Sequence, residues 1–266
     1  MCLIVLSYCD HPGYRLIMAA NRDEFYNRPT RPLSFWPDRP DILAGVDLKG
    51  GGTWLGVTTS GRFAAITNFR DIPSLRENTP TRGNLVKDFL TGSASPAQYL
   101  KEVRALGDRY NGFNLLVGDT KSLYYYSNKN SDIHHLAPGI YGLSNHLLNT
   151  PWPKILRAKN KFCYALSRFP MVQSQPLFRI LQDTWRPPDN DLPDTGIGLE
   201  WERILSPMFI VSDVYGTRSS SVIIWKENGQ IEFSERSHDD GENGTWDEQS
   251  ATKTFQLQLD PQEGAW

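Results

Sequence analysis

The chain has little cysteine: Cys2, Cys9 and Cys163, an odd number at unrelated spacings. That excludes a disulfide framework and points to free thiols in a reducing compartment. No apolar run is long enough for a membrane-spanning helix. The first one, Leu3 to Leu6, is too short for a signal sequence and has no basic stretch before it. A soluble, cytoplasmic protein without membrane insertion is expected. Charge of one sign is also missing: Lys plus Arg is 28 against 30 for Asp plus Glu. A dedicated nucleic-acid binder would usually carry a basic excess. The five histidines, including the His134-His135 pair, fall at no metal-ligand spacing. "LKGGGTW" (Leu48–Trp54) is glycine-rich but lacks the Lys-Ser/Thr ending of a phosphate loop, and reads as a turn.

What is present is alternation of strand and turn. "CLIVLSY" and "YRLIMAA" flank the turn sequence "CDHPG" and predict an N-terminal β-hairpin. "NRDEFYNRPTRP" is polar and proline-rich and is expected as a loop. "TWLGVTT" and "RFAAITNF" predict a second hairpin about Ser60-Gly61. Helical spacing appears in "NLVKDFL", "SPAQYLKEVRALG", "TPWPKILRAKNKFCYALSRF" and "QPLFRILQDTW". In the third, Thr150 and Pro151 suit N-cap and first-turn positions. Strands return in "FNLLVGD", "SLYYYSN" and "IYGLSN". "RPPDNDLPDTGIG" reads as a loop. "MFIVSDVYGTRSSSVIIWK" and "QIEFSERS" predict a closing hairpin about Asn228-Gly229. "HDDGENGTWDEQS" is expected as a mobile acidic loop, and "TKTFQLQL" as a last strand. No repeat has a fixed period. Residues 1–266 are expected to form one α+β domain.

Cys2 directly follows the initiator methionine. Small second residues permit removal of Met1, and the exposed α-amine, with a pKa of about 8, could take the thiol proton. The same cysteine would equally suit the start of a buried strand. "NRDEF" (Asn21–Phe25) should lie beside Cys2 if the first hairpin forms. Its carboxylates could fix an amine and its arginine could favour thiolate. Asn68 and Asn145 end strands, where an amide could stabilise an oxyanion or simply form a turn. Arg218, in "YGTRSSS", could meet a carboxylate or phosphate.

"MCLI", "AANRDEF", "ILAGVDLKGGGTWLGVTTSGRFAAITNFRD", "YNGFNLLVGD", "YGLSN", "TPWPKI" and "YGTRSSSVI" occur in that order along most of the chain. Carrying these blocks, the sequence resembles the NRDE family, whose animal members are called transport and Golgi organisation proteins. That family in turn resembles N-terminal nucleophile hydrolases of the penicillin V acylase and bile salt hydrolase type. The resemblance implies an αββα sandwich of two antiparallel sheets between helical layers. It implies Cys2 as nucleophile, with Arg22, Asp23, Glu24, Asn68 and Asn145 about it, acting on amide or thioester bonds without a cofactor. It also allows a carrier on the same scaffold, taking haem or acyl-CoA, with Asn21, Trp54, Phe69, Arg70 and Arg218 at the ligand. Set against the hydrolase pattern, Arg22 and Asp23 are displaced by one residue. A one-residue shift reverses side-chain direction on a strand, so either a local bulge absorbs it or the machinery is altered.

Overall fold

The computed structural model describes residues 2–168, 171–238 and 251–259. The N-terminal hairpin forms as expected. β1 (Cys2–Tyr8) and β2 (Tyr14–Phe25) are antiparallel, with Cys9 and Gly13 in the turn at positive φ. β3 (Thr30–Trp36), β4 (Arg39–Asp47), β5 (Leu55–Thr58) and β6 (Phe63–Asn68) follow. Then come the helices α1 (Gly83–Thr91) and α2 (Pro96–Leu106). β7 (Phe113–Gly118), β8 (Leu123–Ser127), β9 (Ile133–His135) and β10 (Gly139–Leu143) lead to α3 (Pro153–Arg168), α4 (Ser174–Leu181) and α5 (Leu199–Leu205). β11 (Tyr215–Lys226), β12 (Gln230–Ser237) and β13 (Thr252–Gln258) complete the described elements.

Among the described residues the strands make two sheets, ordered β10-β1-β2-β11-β12-β13 and β3-β4-β5-β6-β7-β8-β9. Every pairing is antiparallel. Strand alternation sorts the side chains into layers. Ile4, Leu6 and Met18 point between the sheets and meet Leu33, Leu43, Val57, Phe63 and Leu116. Their neighbours Leu3, Val5 and Ile17 point the other way, under Ile155 and Phe162 of α3 and Phe178 of α4. Ile42, Ala64, Leu115 and Val117 cover the outer face of the second sheet beneath α1 and α2. The result is the expected helix–sheet–sheet–helix sandwich. α2 begins where its sequence says, with Ser95 Oγ accepting the Gln98 amide and Pro96 in the first turn.

Four local expectations need correction. "NRDEF" is strand, not loop: β2 stays paired with β1 as far as Arg22 and with β11 as far as Phe25, so its polar residues sit in a closed ladder. Thr30, Arg31 and Pro32 likewise belong to β3. α3 starts at Pro153, and Thr150 Oγ1 donates to Leu147 O (2.8 Å) instead of capping the helix. β11 starts only at Tyr215, so "MFIVSD" is not strand. β4 and α5 had no counterpart in the sequence reading. Residues 239–250, expected as a mobile loop, lie outside the described residues.

Candidate active site

The β1–β2 register places Cys2 directly opposite Arg22 and Leu3 opposite Asn21. Since Ile4 and Leu6 face the gap between the sheets, Cys2 and Arg22 face it too. There they line a cleft of about 360 Å³ with Asp23, Glu24, Trp54, Asn68 and Arg218. The cysteine is 7% exposed, and burial pushes its thiol up to about 11. Arg22 and a backbone hydrogen bond from Asp23 pull the other way. The Cys2 carbonyl is 3.0 Å from Ser144 Oγ, which fixes the strand end from its other neighbour, β10.

β2 itself pairs with β1 without interruption through Arg22, so no bulge in β2 offsets the one-residue displacement; the local bulge lies on the partner strand instead. Thr217 faces Asp23 and Ser219 faces Arg22, leaving Arg218 as the extra residue. Thr217 Oγ1 donates to Asp23 Oδ1 at 2.7 Å, and the Tyr215 hydroxyl donates to Asp23 O at 2.9 Å. Burial raises the Asp23 pKa, while Lys154, Thr217 and Arg22 oppose the rise. Lys154 is itself buried in the first turn of α3, with Nζ donating to Leu205 O (2.9 Å). Its pKa is lowered to about 8, by burial first and then by Arg70, against the opposing pull of Asp23 and Glu202.

Of the remaining candidates, some line the cleft and some do not. Asn68 does, at the end of β6. Trp54 does, and Glu24 does, 3.7 Å from Arg28 Nε. Arg218 does, but its Nη1 donates to the carbonyls of Phe25, Tyr26 and Arg28, tying down the turn after β2. Asn145 is fully buried behind Asn68, whose carbonyl accepts its Nδ2 at 3.0 Å. Asn21 points away from the cleft. Its Nδ2 donates to Leu181 O (2.9 Å) and Met208 O (2.8 Å), and its Oδ1 accepts from Ser220 Oγ (2.6 Å). Phe69 packs on His146. Arg70 is buried in an ion pair with Glu202 at 2.6 Å and stacks on Trp152. For Asn21, Phe69, Arg70 and Asn145 the expected contact with a ligand gives way to structural contacts.

Residues the sequence reading missed also line the cleft. Arg82, just before α1, donates to Gly112 O. Glu235 of β12 accepts the Leu33 amide at 2.7 Å, and burial raises its pKa. Arg28 is neutralised by Asp47 at 2.6 Å. Arg22, Arg82 and Arg218 have no carboxylate within ion-pair distance among the described residues, although Asp23, Glu24, Asp47 and Glu235 line the same cleft. The glycine run closes against it: a Cβ on Gly52 would lie 2.4 Å from the Gly83 carbonyl carbon, so the loop packs on the start of α1. Among the described residues no group of three or more His, Cys, Asp or Glu could hold a metal. Among the described residues no helix is long and apolar enough to cross a membrane.

The family model described as Transport and Golgi organisation 2 matches residues 1–240. The chain belongs to this family. The Transport and Golgi organization protein 2 homolog of Bos taurus is 39% identical over 97% of this chain and 100% of its own. The Homo sapiens homolog is 37% identical over 97% and 99%, and the Drosophila melanogaster protein 28% over 96% and 99%. A solved mutant conjugated bile acid hydrolase from Clostridium perfringens aligns over 100% of both chains at 11% identity and a TM-score of 0.49. At that level the likeness bears on neither activity nor substrate.

Proposed function

We propose that this family member is a cysteine-nucleophile hydrolase of amide or thioester bonds in small molecules, active once Met1 is removed. The observation that carries the reading is the pairing of Cys2 with Arg22 at the inner wall of the cleft, with Asp23 one residue further on. The free amine of Cys2 then becomes the base for its own thiol, and the Asp23 carboxylate orients that amine. The thiolate attacks the substrate carbonyl. Its acyl carbon–heteroatom bond breaks, and the ammonium proton goes to the departing amine or thiol. Water then cleaves the acyl-cysteine thioester, returning acid and free enzyme. Arg22 stabilises the thiolate, the Asn68 amide receives the oxyanion, and Asn145 holds Asn68 in place. Glu24 secures Arg28 at the cleft wall. No cofactor takes part.

A second reading has its own support. A thiol at about 11 is inert while Met1 remains, and three arginines without carboxylate partners suit a carrier of anionic ligands such as haem or acyl-CoA. Intact mass of untagged protein, followed by turnover of N-acyl amides and acyl thioesters, separates the two. Loss of Met1 together with turnover that Cys2→Ala abolishes supports the hydrolase. Full retention of Met1, no turnover and unchanged ligand affinity in Cys2→Ala support the carrier.

A further inference from the structure

The outer layer formed by α3 and α4 is charged unlike the rest of the chain. Between Asp132 and Asp183 there is no Asp or Glu, yet that stretch carries Lys154, Arg157, Lys159, Lys161, Arg168 and Arg179, in a protein of net charge −2. Lys154 is buried; the other five are at least partly exposed. Asp183 is shared by Arg157 (2.8 Å) and Lys161, so it cancels only one of them. Arg168 and Arg179 are exposed and pair with no carboxylate among the described residues. The core does not require this bias, because α3 packs on its sheet through Ile155, Ala158, Phe162 and Leu166, on the opposite side.

Large apolar side chains stand among these cations. Tyr164 is 64% exposed, Met171 70%, Leu156 49% and Trp185 42%. The Arg157 guanidinium lies 4.7 Å from the Trp185 ring centroid, and Arg168 5.7 Å from that of Tyr164. Two shallow grooves that share Asn160 and Lys161 run along α3, and Asp191 is the acid that lines one of them. A protein hot spot would gather its aromatics into one packed pocket. Here single Trp, Tyr, Leu and Met side chains are spaced between arginines and lysines, the composition that sits at a lipid headgroup boundary. We propose that the α3–α4 face docks on an anionic lipid bilayer, lying on its surface without crossing it. This is independent of the chemistry at Cys2.

The test uses the full chain with vesicles of phosphatidylcholine, alone or with about one-third phosphatidylserine. Cosedimentation at low salt should show binding to the anionic vesicles only, weakening steeply as salt is raised. Reversing Arg168→Glu together with Arg179→Glu should lower affinity by at least about 25-fold, since each of the two lost cations contributes about fivefold and the new carboxylates are repelled. Arg168→Lys with Arg179→Lys should bind like the parent. Both pairs are exposed, and circular dichroism verifies their folding. Cys163 is exposed and follows Leu156 by one heptad on α3. A polarity-sensitive dye there, in a Cys2→Ala, Cys9→Ser background, should shift to the blue on binding. Absence of binding to anionic vesicles at low salt overturns the proposal, and so does equal binding by the charge-reversed variant. Binding to polyglutamate but not to vesicles also overturns it, and assigns the face to an acidic protein.

Discussion

Arg70 Nη1 and Glu202 Oε2 lie 2.6 Å apart, with only 3% and 4% of their side chains exposed. Glu202 Oε1 is also engaged, accepting from the Thr195 amide at 2.9 Å. Removing one partner leaves the other charge buried without its ion-pair partner, which costs about 3–5 kcal/mol, whereas apolar replacement of both is often near neutral. Arg70→Ala should therefore lower unfolding stability by that amount in urea titrations. Arg70→Met with Glu202→Leu should recover most of it. A ligand role for Arg70 would instead leave stability intact and reduce affinity.

Asn21 acts as a staple between β2, the last residue of α4 and the segment after α5. Asn21→Ala removes the donor to the Leu181 and Met208 carbonyls, while the Ser220 hydroxyl keeps His238 Nε2 at 2.8 Å, and should cost about 2–3 kcal/mol. Asn21→Asp should cost more, because it sets an acceptor against two carbonyls. Neither change should alter the alkylation rate of Cys2 in folded protein, measured by mass spectrometry; a large change would place Asn21 in the site after all.

With Met1 retained, Cys2 should label more slowly at neutral pH than exposed Cys9 and Cys163. Its rate should climb about tenfold per pH unit until about 11, following the thiolate fraction. After Met1 removal the neutral-pH rate should rise above that of the other two. Rapid labelling of Cys2 in Met1-bearing protein would show that burial does not hold the thiol protonated.

Lys154 gives a pH-dependent stability of opposite sense to most paired lysines. Its folded value falls from 10.5 to about 8, so between those values the unfolded chain binds more protons than the native one. Stability must then rise with pH across that window. The difference between the native protein and Lys154→Met should shift in favour of the native protein by up to an order of 3 kcal/mol from below pH 8 to above pH 10.5. Denaturant midpoints measured at both ends test this; a constant difference would mean that folding leaves the proton affinity of Lys154 unchanged.

Much of this was legible beforehand because alternation is local. Leu3, Val5 and Ile17 against Ile4, Leu6 and Met18 is a period of two that any hairpin must sort into opposite layers. The pairing of Cys2 with Arg22 follows from the same hairpin. What stayed hidden depends on distant partners. "NRDEF" reads as loop until β11, near the other end of the chain, pairs with it. Arg70 and Asn145 have the chemistry of a site, but their directions are set by Glu202 and Asn68. Arg82 and Glu235 reach the cleft from a helix start and a late strand, and each looks like an ordinary surface charge in its own segment. Lys154 begins a helix rich in lysine, and only the three-dimensional packing singles it out.

The placement of β1 between β2 and β10 has a consequence for biosynthesis. Cys2 is enclosed once Ser144 and β11 are in position, and β11 is among the last elements to leave the ribosome. A methionine aminopeptidase therefore meets an accessible Met1–Cys2 bond on the nascent chain, before those partners emerge. On the hydrolase reading, removal of Met1 at that stage would free the α-amine before Cys2 is packed between its neighbours, and intact masses of samples refolded from aggregates and of samples folded during synthesis should then differ, even at identical sequence.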